Sequence, residues 1–156
     1  MRVRLLVVGD RQPPWVDAAV NEYLKRIRAP WRVELQTLPT ASRASRSAEQ
    51  AMQREGEQLL GSLRPKEKLI LLDEKGTRFT SLNWARHLQR LSQQEPDLAI
   101  AIGGPDGHAP NVRERAFELW SLSDLTLPHG LARVVVAEQL YRAQSVIAGH
   151  PYHRES

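Results

Sequence analysis

The chain lacks cysteine and long apolar runs, and each absence excludes a class of protein. With no cysteine in 156 residues, a disulfide framework, a thiolate metal site and a cysteine nucleophile are excluded, and a reducing cytoplasm fits. No apolar run approaches the ~20 residues that a membrane-spanning helix needs. The apolar run at residues 3–8 is also too short for a secretion signal. We therefore expect a cytoplasmic protein with no membrane partner, folded as a single domain over residues 1–156.

Several sequence signatures of common pockets are missing as well. There is no G-x-x-x-x-G-K-[ST] phosphate-binding loop, no G-x-G-x-x-G after a strand and no G-x-S-x-G nucleophile elbow. The second absence counts against a Rossmann dinucleotide site and so against a nucleotide-binding oxidoreductase. His150 and His153 are the only closely spaced histidines, and two such ligands without cysteine make a poor metal site. We expect no bound metal.

Lysine is scarce and arginine is abundant. Of the 22 basic residues 18 are arginines, and the net charge of +4 lies in residues 1–64, which carry 11 basic residues against 7 acidic ones. The planar guanidinium suits bidentate contact with phosphate, so the composition mildly favours an anionic partner. A general bias toward arginine explains the count equally well. If the partner is RNA, we expect the electrostatic contacts to come from Arg2, Arg4, Arg11, Arg43 and Arg46.

Short apolar runs alternate with helical patterns from end to end. Five such strand–helix units predict an α/β fold with a mainly parallel sheet and helices on both faces. Between them, residues 40–47 look like a mobile loop. Strands are predicted at residues 3–8, 33–38, 68–72, 98–102 and about 122–127, and helices at 15–27, 48–63, 82–92, 109–119 and 131–148.

Residues 103–107, Gly-Gly-Pro-Asp-Gly, directly follow the apolar strand predicted at 98–102. Taken alone, this sequence is typical of a tight turn. Its position also favours a role in ligand binding, because ligands of open α/β sheets bind outside the carboxyl ends of the strands and glycine lets the backbone approach them. Leu72 and Asp73 end another predicted strand, and residues 123–128 lie around the fifth. We predict a pocket where these strand ends meet.

Three features in the C-terminal part of the chain have two interpretations each. The helix predicted at 131–148 is apolar over more than one narrow stripe. It is either the central helix of a monomer core or a helix that also packs on a second subunit. The tail with Tyr152, His153 and Arg154 is either frayed or a stacking and phosphate-contacting set for an unpaired nucleotide. His129 either contacts an anionic or base-like substrate or hydrogen-bonds the start of the last helix.

Four segments together resemble the RlmH family of small SPOUT-class methyltransferases, which act on bacterial large-subunit ribosomal RNA. They are residues 103–107, 121–129, 136–143 and 150–154. The resemblance implies S-adenosylmethionine bound in a deep C-terminal trefoil knot, the α/β-knot arrangement, which is a rare exception to unknotted topology. It also implies a homodimer that methylates N3 of a pseudouridine in a 23S rRNA hairpin, the helix 69 region, on the assembled ribosome.

The resemblance also assigns site residues. A side chain added at Gly104 is expected to block the cofactor. The alternative function is a non-enzymatic RNA- or ribosome-binding α/β module, which would use the same arginines but has no need for apolar strand ends that meet in Gly/Pro loops. The implied cofactor-binding residues are Leu72, Gly103, Gly104, Ser123, Asp124, Leu125, Thr126, Leu127 and Pro128, and the implied catalytic candidates are His129, Tyr152, His153 and Arg154.

Overall fold

The structure is a computed structural model that describes residues 1–9, 11–95 and 97–154. Its strands are β1 (Arg2–Val8), β2 (Arg32–Leu38), β3 (Lys68–Arg78), β4 (Asp97–Ile102) and β5 (Glu118–Ser121). Its α-helices are α1 (Pro14–Leu24), α2 (Ala48–Ser62), α3 (Ser81–Gln94), α4 (Pro110–Arg115) and α5 (His129–Ala148), and a short 3-10 helix covers Pro151–Arg154.

All five strands pair in parallel in one sheet, in the order β2-β1-β4-β3-β5. The predicted α/β fold with a parallel sheet is therefore confirmed. β1 and β4 are buried along almost their whole length, as their nearly continuous apolar sequences require of central strands covered on both faces. Because the strands are parallel, their carboxyl ends meet at one edge of the sheet, where the pocket is predicted.

Helices cover both faces of this sheet, as predicted. α3 and α5 pack on the face formed by Val3, Leu5 and Ile100. α2 and α4 pack on the opposite face, against Leu6 and Ala101. α5 lies between α1 and α3 and contacts both. Its broad apolar surface is explained by these neighbours, because a helix flanked on two sides and seated on a sheet must be apolar around most of its circumference.

The prediction failed around β5. The predicted strand at 122–127 is wrong, because β5 covers Glu118–Ser121 and the helix predicted to end at residue 119 stops at Arg115. β3 also continues past its predicted end to Arg78, with an irregular register against β5. The backbone of β5 lies 2.6 Å from where a Cβ of Gly76 would stand, so only glycine lets the two strands come this close. The apolar residues after β5 form a loop.

Candidate active site

A pocket of about 560 Å³ lies at the carboxyl edge of the sheet. Residues 72–74 of β3 and the loops that follow β4 and β5 form its walls, and the first turn of α5 closes one side. This is the place where parallel α/β sheets commonly bind ligands. The three strand ends predicted to meet are therefore brought together.

Eight of the nine residues that the resemblance implied for the cofactor line this pocket. Asp124 does not, because its exposed carboxylate turns outward and pairs with Arg78 at 2.6 Å. The functional role of the others stays a prediction. The residues that line the pocket are Leu72, Gly103, Gly104, Ser123, Leu125, Thr126, Leu127 and Pro128.

The pocket walls are rich in backbone and are held by local hydrogen bonds. In the turn after β4, the amide of Gly107 donates to the carbonyl of Gly104 at 3.0 Å. Gly107 has a φ of +82°, a conformation that glycine adopts without strain. In the loop after β5, the Leu125 amide donates to the Ser123 hydroxyl at 2.9 Å, and Ser121 donates to the Ser123 carbonyl. A ligand therefore meets a largely preformed surface.

Gly104 has a different reason for lacking a side chain than the sequence suggested. A Cβ at Gly104 would stand 2.7 Å from Oε1 of Glu55, a buried residue of α2 that does not line the pocket. An added side chain at this position therefore points toward α2. The expectation that an added side chain blocks the cofactor stays a prediction.

His129 connects α5 to the pocket wall. Its Nδ1 donates to the carbonyl of Gly103 at 2.9 Å, so the proton is on Nδ1, because a carbonyl can only accept. Its Nε2 is buried near Gly9 and has no hydrogen-bond partner among the described residues. Burial, and next the charge of Arg133, lower the pKa of His129 and favour the neutral ring.

Arg133 makes a second connection from α5 to the sheet. It is 1% exposed, and its Nη2 donates to the carbonyl of Gly9 at the end of β1 at 3.1 Å. Together His129 and Arg133 fix the start of α5 against the ends of β4 and β1. Arg133 was not among the predicted site residues, although an arginine among the apolar residues of a core helix is a usable signal.

The pocket also contains three titratable groups, Asp73, Arg113 and His108, of which the sequence pointed only to Asp73. The buried Asp73 carboxylate pairs with Arg113 at 2.7 Å and accepts the Lys75 amide at 2.8 Å. His108 is 7% exposed, and its Nε2 has no partner among the residues described. Burial lowers the pKa of His108, so the ring is neutral near pH 7.

The described part of the C-terminal tail, Pro151–Arg154, does not line the pocket of its own chain. Tyr152, His153 and Arg154 lie in the 3-10 helix, which packs on α5. The Tyr152 hydroxyl donates to Oε1 of Glu138 at 3.0 Å, and its ring centroid lies 4.6 Å from that of Tyr141. Burial and this carboxylate raise the pKa of Tyr152, which keeps the phenol protonated. Within one chain the four catalytic candidates are thus divided between His129 and the tail.

Of the arginines expected to contact RNA, Arg4 does not qualify. It is 4% exposed and its guanidinium is bonded to the carboxylate of Glu67. Arg43 is also engaged, with two carboxylates. The exposed members are Arg2, Arg11 and Arg46.

Two further observations concern other kinds of partner. Across residues 1–9, 11–95 and 97–154 no group of three or more His, Cys, Asp or Glu side chains could hold a metal ion. No helix in the same ranges combines the length and the apolar character that crossing a membrane requires.

Comparison with known proteins agrees with this geometry. Residues 1–153 match a family described as "Predicted SPOUT methyltransferase". The chain is 45% identical to the "Ribosomal RNA large subunit methyltransferase H" of Methylibium petroleiphilum over 156 residues, which is 99% of this chain and 100% of that protein. Proteins of the same name from Variovorax paradoxus and Laribacter hongkongensis are 43% and 42% identical, with 99% of this chain and 100% of each relative covered.

Proposed function

The chain belongs to the SPOUT methyltransferase family, and from that premise we propose that it transfers a methyl group from S-adenosylmethionine to N3 of a pseudouridine in 23S rRNA. The target is the hairpin of the helix 69 region on the assembled ribosome, and the place of action is the cytoplasm, where ribosomes are. The observation that carries the proposal is the backbone-rich pocket at the carboxyl edge of the sheet. Its lining contains eight of the nine residues assigned to the cofactor.

The pocket suits S-adenosylmethionine in size and in charge. Its volume of about 560 Å³ is in the ordinary range for small-molecule sites. Leu72 and Leu127 offer apolar contact for an adenine ring, and the backbone of residues 103–107 and 125–128 offers hydrogen-bonding groups. Glu74 adds an exposed carboxylate to the lining, which favours a ligand with a sulfonium and an ammonium group. When bound, the cofactor supplies an electrophilic methyl group.

In the proposed reaction N3 of pseudouridine gives up its proton and forms the new N–C bond while the S–C bond breaks. Such a displacement depends mainly on in-line positioning. We assign His129 to holding the Gly103 carbonyl in place, because its Nε2 is buried against Gly9 and cannot accept a proton from RNA. Solvent or His153 then accepts the proton, and Arg154 stabilises the negative charge that develops on the base or holds a neighbouring phosphate.

We further propose that the working unit is a homodimer. The tail packs near Glu138, about 14 Å along the axis of α5 from His129 at 1.5 Å per residue. A second copy can bring its own tail to the pocket, so that one copy holds the cofactor and the other contacts the RNA. Trp15 and Leu131, both exposed apolar residues of α1 and α5, offer surface for such packing.

Calorimetric titration with S-adenosylmethionine tests the pocket, and sedimentation tests the dimer. Arg154→Ala should leave the cofactor Kd unchanged while methyl transfer to ribosomes falls, because the tail lies outside the pocket of its own chain. Arg86→Ala, which removes one exposed arginine from α3, is the matched control. Equal loss of cofactor affinity and turnover in Arg154→Ala would count against the assigned role.

A further inference from the structure

Residues 40–47, which the sequence predicts to be a mobile loop, are held to the turn after β4 by Arg43. The Nη2 of Arg43 donates to Oδ2 of Asp106 at 2.8 Å, and its Nε donates to the same oxygen at 3.2 Å. Asp106 belongs to the turn of residues 104–107 and lines the pocket. A side chain from outside the pocket thus holds one of its walls.

Arg43 also contacts the carboxylate of Glu55 and the carbonyl of Ala41. Nη2 also donates to Oε1 of Glu55 at 3.1 Å, and Nη1 donates to Oε2. Glu55 is 3% exposed, and its Oε2 also accepts the amide of Ala41 at 2.9 Å. Because a Cβ on Gly104 would come within 2.7 Å of this carboxylate, the backbone of the turn rests directly on Glu55. The turn is therefore held from behind by Glu55 and from outside by Arg43.

Removal of Arg43 would disturb both contacts. The buried Glu55 carboxylate would lose its cationic partner, which is costly for a group with so little access to water. Asp106 would lose the two hydrogen bonds that tie it to residues 40–47. The turn of residues 104–107 would then adopt a wider range of conformations, and the pocket wall would be less well formed.

We propose that Arg43 is a positioning residue for the methyl donor: it sets the shape of the turn after β4 by joining Glu55 to Asp106, and it governs cofactor affinity instead of RNA contact. The proposal deepens and rests on the proposed methyltransferase function. It replaces the expectation that Arg43 belongs to the electrostatic contacts with RNA.

Arg46 provides a matched control in the same loop. Arg46→Ala and Arg43→Ala each remove one positive charge within three positions of each other, but Arg46 is exposed. If the loop acts through attraction of RNA, the two substitutions should raise the KM for ribosomes by similar factors. If Arg43 acts through the turn, only its substitution should weaken cofactor binding.

The test combines calorimetry with S-adenosylmethionine and hydrogen exchange of residues 103–108 in the free protein. Arg43→Ala should raise the cofactor Kd by about tenfold, as expected for the loss of charge-assisted hydrogen bonds, and should speed exchange in the turn. Arg43→Lys should rescue only part of the affinity, because a single ammonium cannot bridge two carboxylates as a planar fork does. Arg46→Ala should leave both measurements at the wild-type value.

An unchanged cofactor Kd and unchanged exchange in Arg43→Ala, or a ribosome KM raised equally by both alanine variants, would overturn the proposal. If Arg43→Ala does not fold, Asp106→Asn gives the same test, because it leaves the Glu55 contact intact and should still speed exchange in the turn. Failure of the wild-type protein to bind S-adenosylmethionine would refute the proposed function instead. Hydrogen exchange in the free protein would still decide whether Arg43 holds the turn.

Discussion

The two edges of the sheet use charge in opposite ways. At the amino edge a groove of about 400 Å³ is lined by arginines and carboxylates that form three ion pairs, Arg2–Asp97, Arg4–Glu67 and Arg64–Glu34. At the carboxyl edge the pocket exposes backbone, and His108 and His129 in its lining each keep a ring nitrogen without a hydrogen-bond partner among the described residues. The density of arginine therefore does not indicate where the site lies. Polar groups without protein partners mark it better.

Arg4 shows most clearly why the amino edge is structural. Its Nη1 donates to Gln36 at 2.7 Å, its Nη2 to the carbonyl of Ser62 at 2.8 Å, and its Nε to Glu67 at 2.7 Å. Because all three guanidinium nitrogens are hydrogen-bonded and Arg4 is 4% exposed, this side chain is not available to contact RNA.

The largest effect on stability is expected from Arg4→Ala. It leaves Glu67 as a buried, unpaired carboxylate and should lower the free energy of unfolding by about 3–5 kcal/mol in urea titrations. The S-adenosylmethionine Kd of the folded protein should not change, because the two edges are separate. The control Arg2→Ala breaks an exposed pair and should cost less than about 1 kcal/mol. A loss of cofactor affinity in the folded Arg4→Ala protein would contradict the view that the amino edge is structural and separate from the pocket.

A smaller effect is expected from Gly104→Ala at the carboxyl edge. The new methyl group overlaps the Glu55 carboxylate, so the free energy of unfolding should fall by about 1–3 kcal/mol, and cofactor affinity should fall as the turn shifts. Gly61→Ala in α2 meets open space and should instead raise stability by about 1 kcal/mol through helix propensity. Full stability together with lost binding in Gly104→Ala would show that the side chain enters the pocket after all.

The smallest effect is the pH dependence of stability contributed by the pocket histidines. The pKa values of His108 and His129 are lowered in the folded state, so below the ordinary histidine pKa the unfolded chain binds more protons. Their contribution is complete above about pH 6.5 and is lost as the pH falls toward the folded-state pKa values. Urea titrations between about pH 7.5 and about pH 5, an interval that spans the ordinary histidine pKa, should show that the free energy of unfolding decreases on acidification. His108→Leu should flatten this slope, and an unchanged slope would contradict the inferred protonation states.

Much of the pocket was predictable because its signals are local. Glycine and proline directly after an apolar strand indicated the turn of residues 103–107, and parallel pairing placed it beside Leu72. The end of β3 was predicted too early because residues 73–76 have the composition of a turn. β5 was placed too late because the apolar residues that follow it alternate as a strand would. The pairing of Arg4 with Glu67 and that of Arg43 with Asp106 could not be predicted, since in each case the partner is 63 positions away in the chain.

The central claim is methyl transfer to one nucleotide of ribosomal RNA, and mass mapping of 23S rRNA tests it most directly. Ribosomes that lack the modification are incubated with the protein and S-adenosylmethionine that carries an isotopically labelled methyl group. If the proposed function is right, we expect a single labelled methyl group on N3 of a pseudouridine in the helix 69 hairpin. Ribosomal RNA without label, from a protein that binds the cofactor, or label on a different nucleotide would contradict it.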